Sequence, residues 1–329
     1  MEGNTLAELL MSLEKAVRRL VHDGDTIAIG GFTINRKPYA LVREIVRQGK
    51  KNLYIEGSGS GGGETDLLIG AGCVKLIVNA YLANAAFGKI GRRFRRAIER
   101  GEIEFEDYSS DIQPLRFHAA ALGLPFISVP HLLMGSDLEA QWGIPTEKYK
   151  EDPKLPPAKF LIRENPFNLG EKLVYLPTPK IDTGLIHVQK AAPDGTVRIE
   201  GPTFLDVDLA MAARFLIVSC EELVDPDELR REPWQNQIPG LIPDALVHLP
   251  YGAHPTQCTN YYDYDPEFLY LYDAVSRDDT LFVRFLDEYV YSLADHRAYI
   301  KKIGFELLKK LKVGEKNYVN NLPRRNVRP

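Results

Sequence analysis

Short apolar runs that end in glycine and lead into amphipathic helices recur along this 329-residue chain. Residues 26–32 form the first run, which ends in Gly30 and Gly31, and Pro38 then stands at the first turn of a helical stretch. Proline suits that position because its missing N–H would have no helical partner there. The pattern predicts a strand, a glycine corner and a helix in succession.

The same unit returns several times. Further strand-like runs lie at residues 53–56, 74–81, 102–108, 126–129, 184–188, 215–219 and 245–249, with helical patterns between most of them. Such alternation favours an α/β fold with an open, largely parallel sheet and helices on both faces. At the N-terminus, Thr5 and Glu8 make a capping box, and an apolar stripe predicts a helix over residues 6–21.

Residues 138–182 interrupt this alternation, because they are rich in proline and charge and carry few periodic apolar runs. A segment of this kind is typical of an excursion on the surface or against a partner. Neither an exact repeat nor a clean linker divides the chain. We therefore predict one domain over residues 1–316, with the Pro-rich excursion inside it and a polar tail at 317–329.

Charge and composition exclude several classes of function. The net charge of −4 and the pI near 6.0 give no reason to expect nucleic acid or an anionic membrane as a partner. The three cysteines lie far apart without a CxxC pair, which argues against a disulfide framework or a zinc knuckle. No apolar run approaches the roughly 18 residues of a membrane-spanning helix. These features predict a cytoplasmic globular protein.

The glycine-rich loop at residues 57–63 directly follows a predicted strand and reads Gly57, Ser58, Gly59, Ser60, Gly61, Gly62, Gly63. Glycine lets backbone N–H groups turn toward a bound group, and the start of the next helix adds partial positive charge. We predict a site for an anionic oxygen or a phosphate. A surface turn is one alternative, and a dinucleotide site is another, although Asn79 stands where a ribose-binding acid is expected.

A second glycine corner, Gly30–Gly31–Phe32, ends the first predicted strand. Ligands of open α/β sheets bind beyond the carboxyl ends of the strands, so the two corners are expected to line one crevice. Their amides are predicted to stabilise an oxyanion, unless the glycines only permit close packing. Arg36 and Lys37 are expected at the mouth of the crevice, where they would hold a carboxylate or phosphate, or else to be surface charges.

Other polar groups have weaker patterns. Glu56 ends a strand immediately before the glycine loop. That position predicts either a nucleophile that faces a ligand or a residue that caps the loop. The basic helix around residues 92–96 is predicted to contact phosphates or an acidic partner. The alternative is that its arginines form a solvent-exposed helix face. The stretch 251–258 holds His254 and Cys258 without a carboxylate at zinc spacing, so a packed loop is favoured over a metal site. The chain has no GxSxG, Walker lysine or HExxH motif.

Several segments, in order along most of the chain, resemble the A-type subunits of class I CoA-transferases, and among them those of the glutaconate group. They are residues 24–32 continuing through 36–38, 66–70, 92–95, 118–126, 193–198 and 251–254. The resemblance implies the α/β fold and a B-type partner subunit in a heterodimer or an A2B2 tetramer. It also implies an active site between unlike subunits.

In that family a glutamate of the B-type partner forms a glutamyl-CoA intermediate, and coenzyme A, the substrate carrier, then leaves on the acceptor acid. The Ser-Glu-Asn-Gly motif of B-type subunits is absent from this sequence. The resemblance therefore implies no catalytic residue in this chain, with Glu56 a candidate by position only. It implies neither a metal nor a permanently bound cofactor.

By the same resemblance, Gly30, Gly31, Phe32, Asn84 and the 57–63 loop shape the acyl site, while Arg36 or Lys37 holds the distal carboxylate of a short dicarboxylic acid such as glutaconate. One departure concerns Ala85, which follows Asn84 where the glutaconate enzymes have a serine. Related A-type subunits serve ring hydrolases and a decarboxylase. Hydrolysis or decarboxylation of an acyl-CoA, and a non-catalytic CoA-ester-binding subunit, are therefore the alternatives to CoA transfer.

Overall fold

The computed structural model describes residues 9–57, 61–84 and 87–314, and these ranges contain eleven strands. In chain order they are β1 (Thr26–Ile29), β2 (Leu53–Gly57), β3 (Val74–Asn79), β4 (Glu104–Asp107), β5 (Phe126–Pro130), β6 (Leu161–Glu164), β7 (Lys172–Pro177), β8 (Ile181–Ala191), β9 (Val197–Arg198), β10 (Ala213–Leu223) and β11 (Ala245–His248).

Helices connect and cover the strands. In chain order they are α1 (Leu13–Leu20), α2 (Tyr39–Arg47), α3 (Gly63–Gly70), α4 (Arg92–Glu99), α5 (Ile112–Ala121), α6 (Asp137–Ala140), α7 (Thr146–Glu151), α8 (Asp206–Ala212), α9 (Pro226–Arg230), α10 (Pro266–Val275), α11 (Asp279–Leu286), α12 (His296–Ile303) and α13 (Phe305–Leu311). A short 3-10 helix spans Pro233–Gln235, and a π-helical turn, Asp287–Tyr291, continues α11. No helix of the described residues is long and apolar enough to cross a membrane.

Seven parallel strands form the main sheet, in the spatial order β11-β10-β8-β1-β2-β3-β4, and the short β9 lies antiparallel beside β8. The open, largely parallel sheet predicted from the sequence is thereby confirmed. At the N-terminus the prediction of one helix over residues 6–21 was wrong, because Leu10 forms a bridge with Leu246 and Ser12 then caps α1. The capping box at Thr5 and Glu8 lies outside the described residues.

Alternation along the strands explains why both faces of the main sheet are covered. Ile27, Ile55 and Ile77 point to one face, where they pack in a single core with residues of α1, α2, α3 and α11. Their neighbours along the strands point the other way, toward α5, α8 and the segment after β5. Strands that are apolar on both sides are what a parallel sheet between two layers requires.

Residues 126–177 build a second, three-stranded antiparallel sheet in the order β5-β7-β6. The strand predicted at 126–129 forms, but it joins this sheet and not the main one. The strands β6 and β7 within the Pro-rich segment were not predicted, because exposed polar residues such as Arg163 and Lys172 interrupt their apolar pattern. The single-domain boundary at residue 316 stays a prediction, and the tail 317–329 lies outside the described residues.

Glu106 in β4 connects the Pro-rich segment to the main sheet. Its carboxylate is buried, lies 2.9 Å from Lys159 Nζ and accepts a hydrogen bond from the Tyr149 hydroxyl. It also accepts the backbone N–H groups of Gly143 and Ile144. One carboxylate thus satisfies an ammonium, a phenol and two amides of the Pro-rich segment.

We expect Glu106→Gln to lower the free energy of unfolding by about 3–5 kcal/mol, because it leaves the buried Lys159 ammonium without a counter-charge. Glu104→Gln is the matched control on the same strand. Its partner Lys148 is 44% exposed, so that substitution should cost less than about 1 kcal/mol. Urea unfolding of both variants measures the difference, and equal losses would contradict the anchoring role of Glu106.

Candidate functional site

The two predicted glycine corners lie side by side at the carboxyl edge of the main sheet. β1 and β2 pair in parallel with Ile29 opposite Gly57, so the loops that follow them emerge next to each other. The loop after β3, residues 80–84, completes the edge through a bridge between Gly61 and Leu82. The structure therefore brings together the segments 30–37, 61–63 and 80–84. This agrees with the expectation that the loops at the carboxyl ends of the strands line one crevice.

The amides of the Gly30–Gly31–Phe32 corner donate to acceptors inside the chain. Gly30 N–H donates to Leu185 O (2.8 Å), Gly31 N–H to Asp206 Oδ1 (2.6 Å) and Phe32 N–H to Asn35 O (2.9 Å). Their predicted use as oxyanion donors is therefore wrong for this structure. A Cβ at Gly30 would lie 2.4 Å from Asp206 Oδ1, so close packing is what requires that glycine.

Arg36 is an internal residue and not a group at the mouth of a crevice. It is fully buried, and its Nη1 donates to Asp206 Oδ2 and to His187 O (3.0 Å), while Nη2 donates to Pro202 O. The same Asp206 carboxylate holds the Gly31 amide. Arg36 and Asp206 together fix the path of the chain after β1.

Lys37 is also fully buried, with its Nζ 3.3 Å from Glu64 Oε1. Burial follows from the packing of the start of α2 under the 250–256 loop, where Lys37 N–H donates to Thr256 Oγ1 (3.2 Å). Neither Lys37 Nζ nor Glu64 Oε2 has a hydrogen-bond partner among the described residues. The predicted position of Arg36 and Lys37 at the mouth is thus wrong, because neither side chain reaches solvent.

The described part of the glycine loop binds the chain's own acceptors. Gly62 N–H donates to Glu64 Oε1 (3.0 Å), and Gly63 N–H donates to Asn84 Oδ1 (2.7 Å). A carboxylate of the chain therefore occupies the helix start where an outside anion was predicted. Ser58, Gly59 and Ser60 lie outside the described residues, as does Ala85, and the anion site predicted for the loop stays a prediction.

The Glu56 side chain does not point toward the carboxyl edge. It lies on the face of the main sheet that α5 covers. Its two oxygens each lie 3.1 Å from a guanidinium nitrogen of Arg116, and that guanidinium stacks over the Tyr108 ring at 4.3 Å. Gln113 Nε2 donates to Gly57 O (3.0 Å) from the same helix. A carboxylate held by a buried two-point ion pair is neither a free nucleophile nor a loop cap.

The basic helix α4 meets acids of this chain. Arg92 Nε lies 2.9 Å from Asp273 Oδ1 on α10, and Arg93 Nη2 lies 2.7 Å from Asp279 Oδ1 on α11. Hydrogen bonds from Arg93 and Arg96 hold the pKa of Asp279 well below its usual range. Arg95 pairs with Glu99 on the same helix. These arginines are thus paired with acids of the chain itself, and their contact with phosphates or an acidic partner stays a prediction.

The 251–258 loop is a packed structural element. His254 is buried between Asp265 Oδ2 (3.1 Å) and the Tyr299 hydroxyl (2.8 Å). Cys258 lies with His187 and Glu221 in a group whose ligand atoms are within 4.8 Å of one another. Because His254, His187 and Glu221 all have hydrogen-bonding partners within the chain, we assign them a structural role.

The hydrogen bonds of that group run between neighbouring strands. His187 Nε2 lies 2.6 Å from Glu221 Oε1, and the Tyr262 hydroxyl donates to the same oxygen. Burial raises the pKa of the Cys258 thiol, which favours its neutral form. Sequence reasoning missed His187 and Glu221, because only the pairing of β8 with β10 brings them together.

The carboxyl edge exposes aromatic side chains at its surface, while its carboxylates are buried in ion pairs. Phe32 and Phe204 are half-buried with ring centroids 4.9 Å apart, and Tyr81 is 40% exposed. Among the described residues of this edge, the carboxylates Glu64 and Asp206 are both committed to buried cations. The described residues of this edge can shape and line a binding site, and neither of these two carboxylates is free to act as a nucleophile.

The chain matches known proteins at the level of family, sequence and structure. The family model described as Coenzyme A transferase matches residues 10–249. Over 304 residues the chain is 50% identical to the A-type subunit of glutaconate CoA-transferase from Acidaminococcus fermentans, covering 92% of this chain and 94% of that one. It is 35% identical to the A-type subunit of 3-oxoadipate CoA-transferase from Pseudomonas knackmussii, over 91% of this chain and 99% of that one.

The solved structure of glutaconate coenzyme A-transferase from Acidaminococcus fermentans superposes with a TM-score of 0.92 at 48% identity. The match covers 94% of this chain and 98% of that one. The agreement therefore extends over the main sheet and the Pro-rich segment alike.

Asp66 on α3 links the glycine-loop helix to α4 and α10. Its Oδ1 accepts Phe94 N–H (2.8 Å), which caps the start of α4, and its Oδ2 accepts the Tyr272 hydroxyl (2.9 Å). Burial raises the pKa of Asp66 to about 6 in spite of these bonds. In the unfolded chain the pKa of aspartate is about 3.9.

Because the folded state holds this proton more tightly, the contribution of Asp66 to stability falls as the pH rises from about 4 to 6. A two-unit pKa difference corresponds to about 3 kcal/mol. At pH 4 the unfolded aspartate is already about half ionised, so Asp66→Asn should gain about 2 kcal/mol in unfolding free energy relative to wild type between pH 4 and pH 7. Urea unfolding at both pH values measures this gain. The exposed Asp111→Asn is the control, and a pH-independent effect of Asp66→Asn would contradict the raised pKa.

Proposed function

Because this chain belongs to the coenzyme A transferase family, we propose that it is the A-type subunit of a two-subunit CoA-transferase. It moves coenzyme A between an acyl-CoA and a short dicarboxylic acid such as glutaconate. The observation that carries the proposal is the likeness to the Acidaminococcus glutaconate enzyme along nearly the whole length of both chains.

The nucleophile of this reaction belongs to the B-type partner. Its glutamate attacks the thioester carbonyl and expels the coenzyme A thiolate, which leaves a mixed anhydride of the donor acid and the glutamate. The thiolate then attacks the glutamyl carbonyl, so the donor acid leaves as its carboxylate and a glutamyl-CoA thioester forms. The acceptor carboxylate takes the coenzyme A by the same two steps in reverse. Three acids of this chain near the glycine corners, Glu56, Glu64 and Asp206, are each paired with a buried cation. That pairing supports a division of labour in which this chain shapes the site and the partner supplies the covalent step.

This chain forms one wall of the acyl site with Gly30, Gly31, Phe32, Asn84 and the 57–63 loop. Two buried ion pairs support that wall from behind. The Arg36–Asp206 pair fixes the Gly31 amide, and the Lys37–Glu64 pair fixes the Gly62 amide. The same pairs explain why positive charge follows the first glycine corner without facing a substrate.

The assembly is an A–B heterodimer or an A2B2 tetramer, with the active site between unlike subunits. Coenzyme A enters as substrate carrier, and no cofactor is permanently bound. We place the enzyme in the cytoplasm, since its three cysteines are buried free thiols and free thiols suit a reducing compartment.

Co-purification of this chain with the product of the adjacent reading frame, followed by incubation with glutaconyl-CoA and labelled acetate, tests the reaction. We expect labelled acetyl-CoA, and borohydride should inactivate the complex at a glutamate of the partner. Free coenzyme A without labelled thioester would instead indicate a hydrolase, and carbon dioxide would indicate a decarboxylase. Either result would overturn CoA transfer.

A second experiment tests the wall of the acyl site. Asn84→Ala removes the acceptor of the Gly63 amide and lets the glycine loop shift. A displacement of about 1 Å near a reacting group costs about 100-fold, so kcat/KM for transfer should fall about 10- to 100-fold. Asn168→Ala in the exposed hairpin between β6 and β7 is the matched control. A kcat/KM equal to that of the wild type in the Asn84 variant would contradict the proposal that this loop forms a wall of the acyl site.

A further inference from the structure

A cavity of about 310 Å³ lies between the face of the main sheet and the Pro-rich segment. Its floor includes Tyr54 of β2 with Leu76 and Val78 of β3, and Leu155 and Pro177 face it from the other side. The cavity is therefore over the middle of the strands, whereas the proposed acyl site is at their carboxyl edge. None of the roles assigned above uses this space.

The cavity opens to solvent beside the exposed Lys154 and Lys180 and extends inward to buried residues. Its volume would accommodate about ten water molecules at roughly 30 Å³ each. Ligand pockets start at about 300 Å³ and are mostly apolar with a few placed polar groups. Aliphatic side chains and prolines, among them Ile55, Leu76, Val78 and Leu155, make up nine of the nineteen lining residues.

The inner end of the cavity carries a buried polar pair. Arg116 is 2% exposed and Glu56 is 8% exposed, and both line the space. Arg116 donates through Nη1 and Nη2 to Glu56 and through Nε to Pro177 O (3.0 Å). The pair is neutral overall, so it offers hydrogen bonds to a ligand without a net charge.

The outer end carries a positive charge that the chain does not balance. Lys154 and Lys180 both line the cavity and both are exposed. Lys154 Nζ lies 2.6 Å from Asp182 Oδ2, whereas Lys180 forms no ion pair within the described part of the chain. The mouth of an apolar chamber is thus left with one ammonium group, which a single negative charge would neutralise.

We propose that this cavity binds a small monocarboxylic acid with an apolar body. The carboxylate lies at Lys180, the body lies among the prolines and the side chains of β2 and β3, and the far end approaches the Arg116–Glu56 pair. Coenzyme A is far too large for this volume. The proposal goes beyond the transferase reaction and does not depend on it, because the site is built from this chain alone.

Titration calorimetry of the full-length chain with octanoate tests the proposal, and three variants locate the binding. Leu155→Trp fills the cavity and should abolish binding. Lys180→Glu reverses the charge at the mouth and should weaken binding about tenfold, because the attraction between the ammonium group and the carboxylate becomes a repulsion. Lys172→Glu on β7 lies outside the cavity lining, so it should bind as the wild type does.

Octylamine has the same apolar body with a cationic head, and it should not bind. Equal binding of octylamine and octanoate would overturn the role of Lys180. Absence of octanoate binding at about 10 mM, far weaker than ordinary ligand affinities, would overturn the site itself. Octanoate that binds Leu155→Trp as tightly as wild type would sit elsewhere, in the acyl site for example, and would equally overturn the proposal. Circular dichroism of each variant verifies its fold.

Discussion

The main sheet must be covered on both faces, and most of the structure follows from this requirement. Its parallel strands carry apolar side chains on alternate sides, so one helical layer cannot bury them all. Helices α1, α2 and α3 cover one face. On the other face α5 and α8 cover the strands around β8, and the three-stranded sheet covers β2 and β3. The Pro-rich segment is thus a structural layer of the fold.

Parallel strands also place all their carboxyl ends at one edge. The buried amides and charged groups of the loops that meet there must find hydrogen-bond or ion-pair partners. Buried ion pairs do this, with Arg36 and Asp206 behind one glycine corner and Lys37 and Glu64 behind the other. Breaking such a pair by removing one partner leaves a buried charge and costs several kcal/mol. The charged residues next to the corners therefore maintain the shape of the loops.

The same use of charge supports the proposal that the partner supplies the nucleophile, because the described acids near the glycine corners are held in ion pairs. A carboxylate that attacks a thioester must be free and close to the substrate, whereas Glu56 is bound at two points by Arg116 on the far face of the sheet. A partner that supplies the glutamate lets this chain keep its own acids in structural pairs. The proposed cavity next to Glu56 then lies in the layer between the sheet and the Pro-rich segment, apart from the shared active site.

The sequence by itself determined the alternation of strands and helices, the parallel sheet, and the meeting of two glycine corners at one edge. These features depend on apolar periodicity and on the backbone preferences of glycine and proline. Such preferences are local, because each one involves only residues that are close together in the sequence. Only the tertiary structure decided that β5 leaves the main sheet and that Arg36 and Lys37 point inward. It also decided that the corner amides are already occupied. The partners Asp206 and Arg116 lie far along the chain from the groups they bind, and no local pattern encodes such pairs. Burial and ion pairing are properties of the packed molecule, and they decide which polar residues are left to meet a substrate.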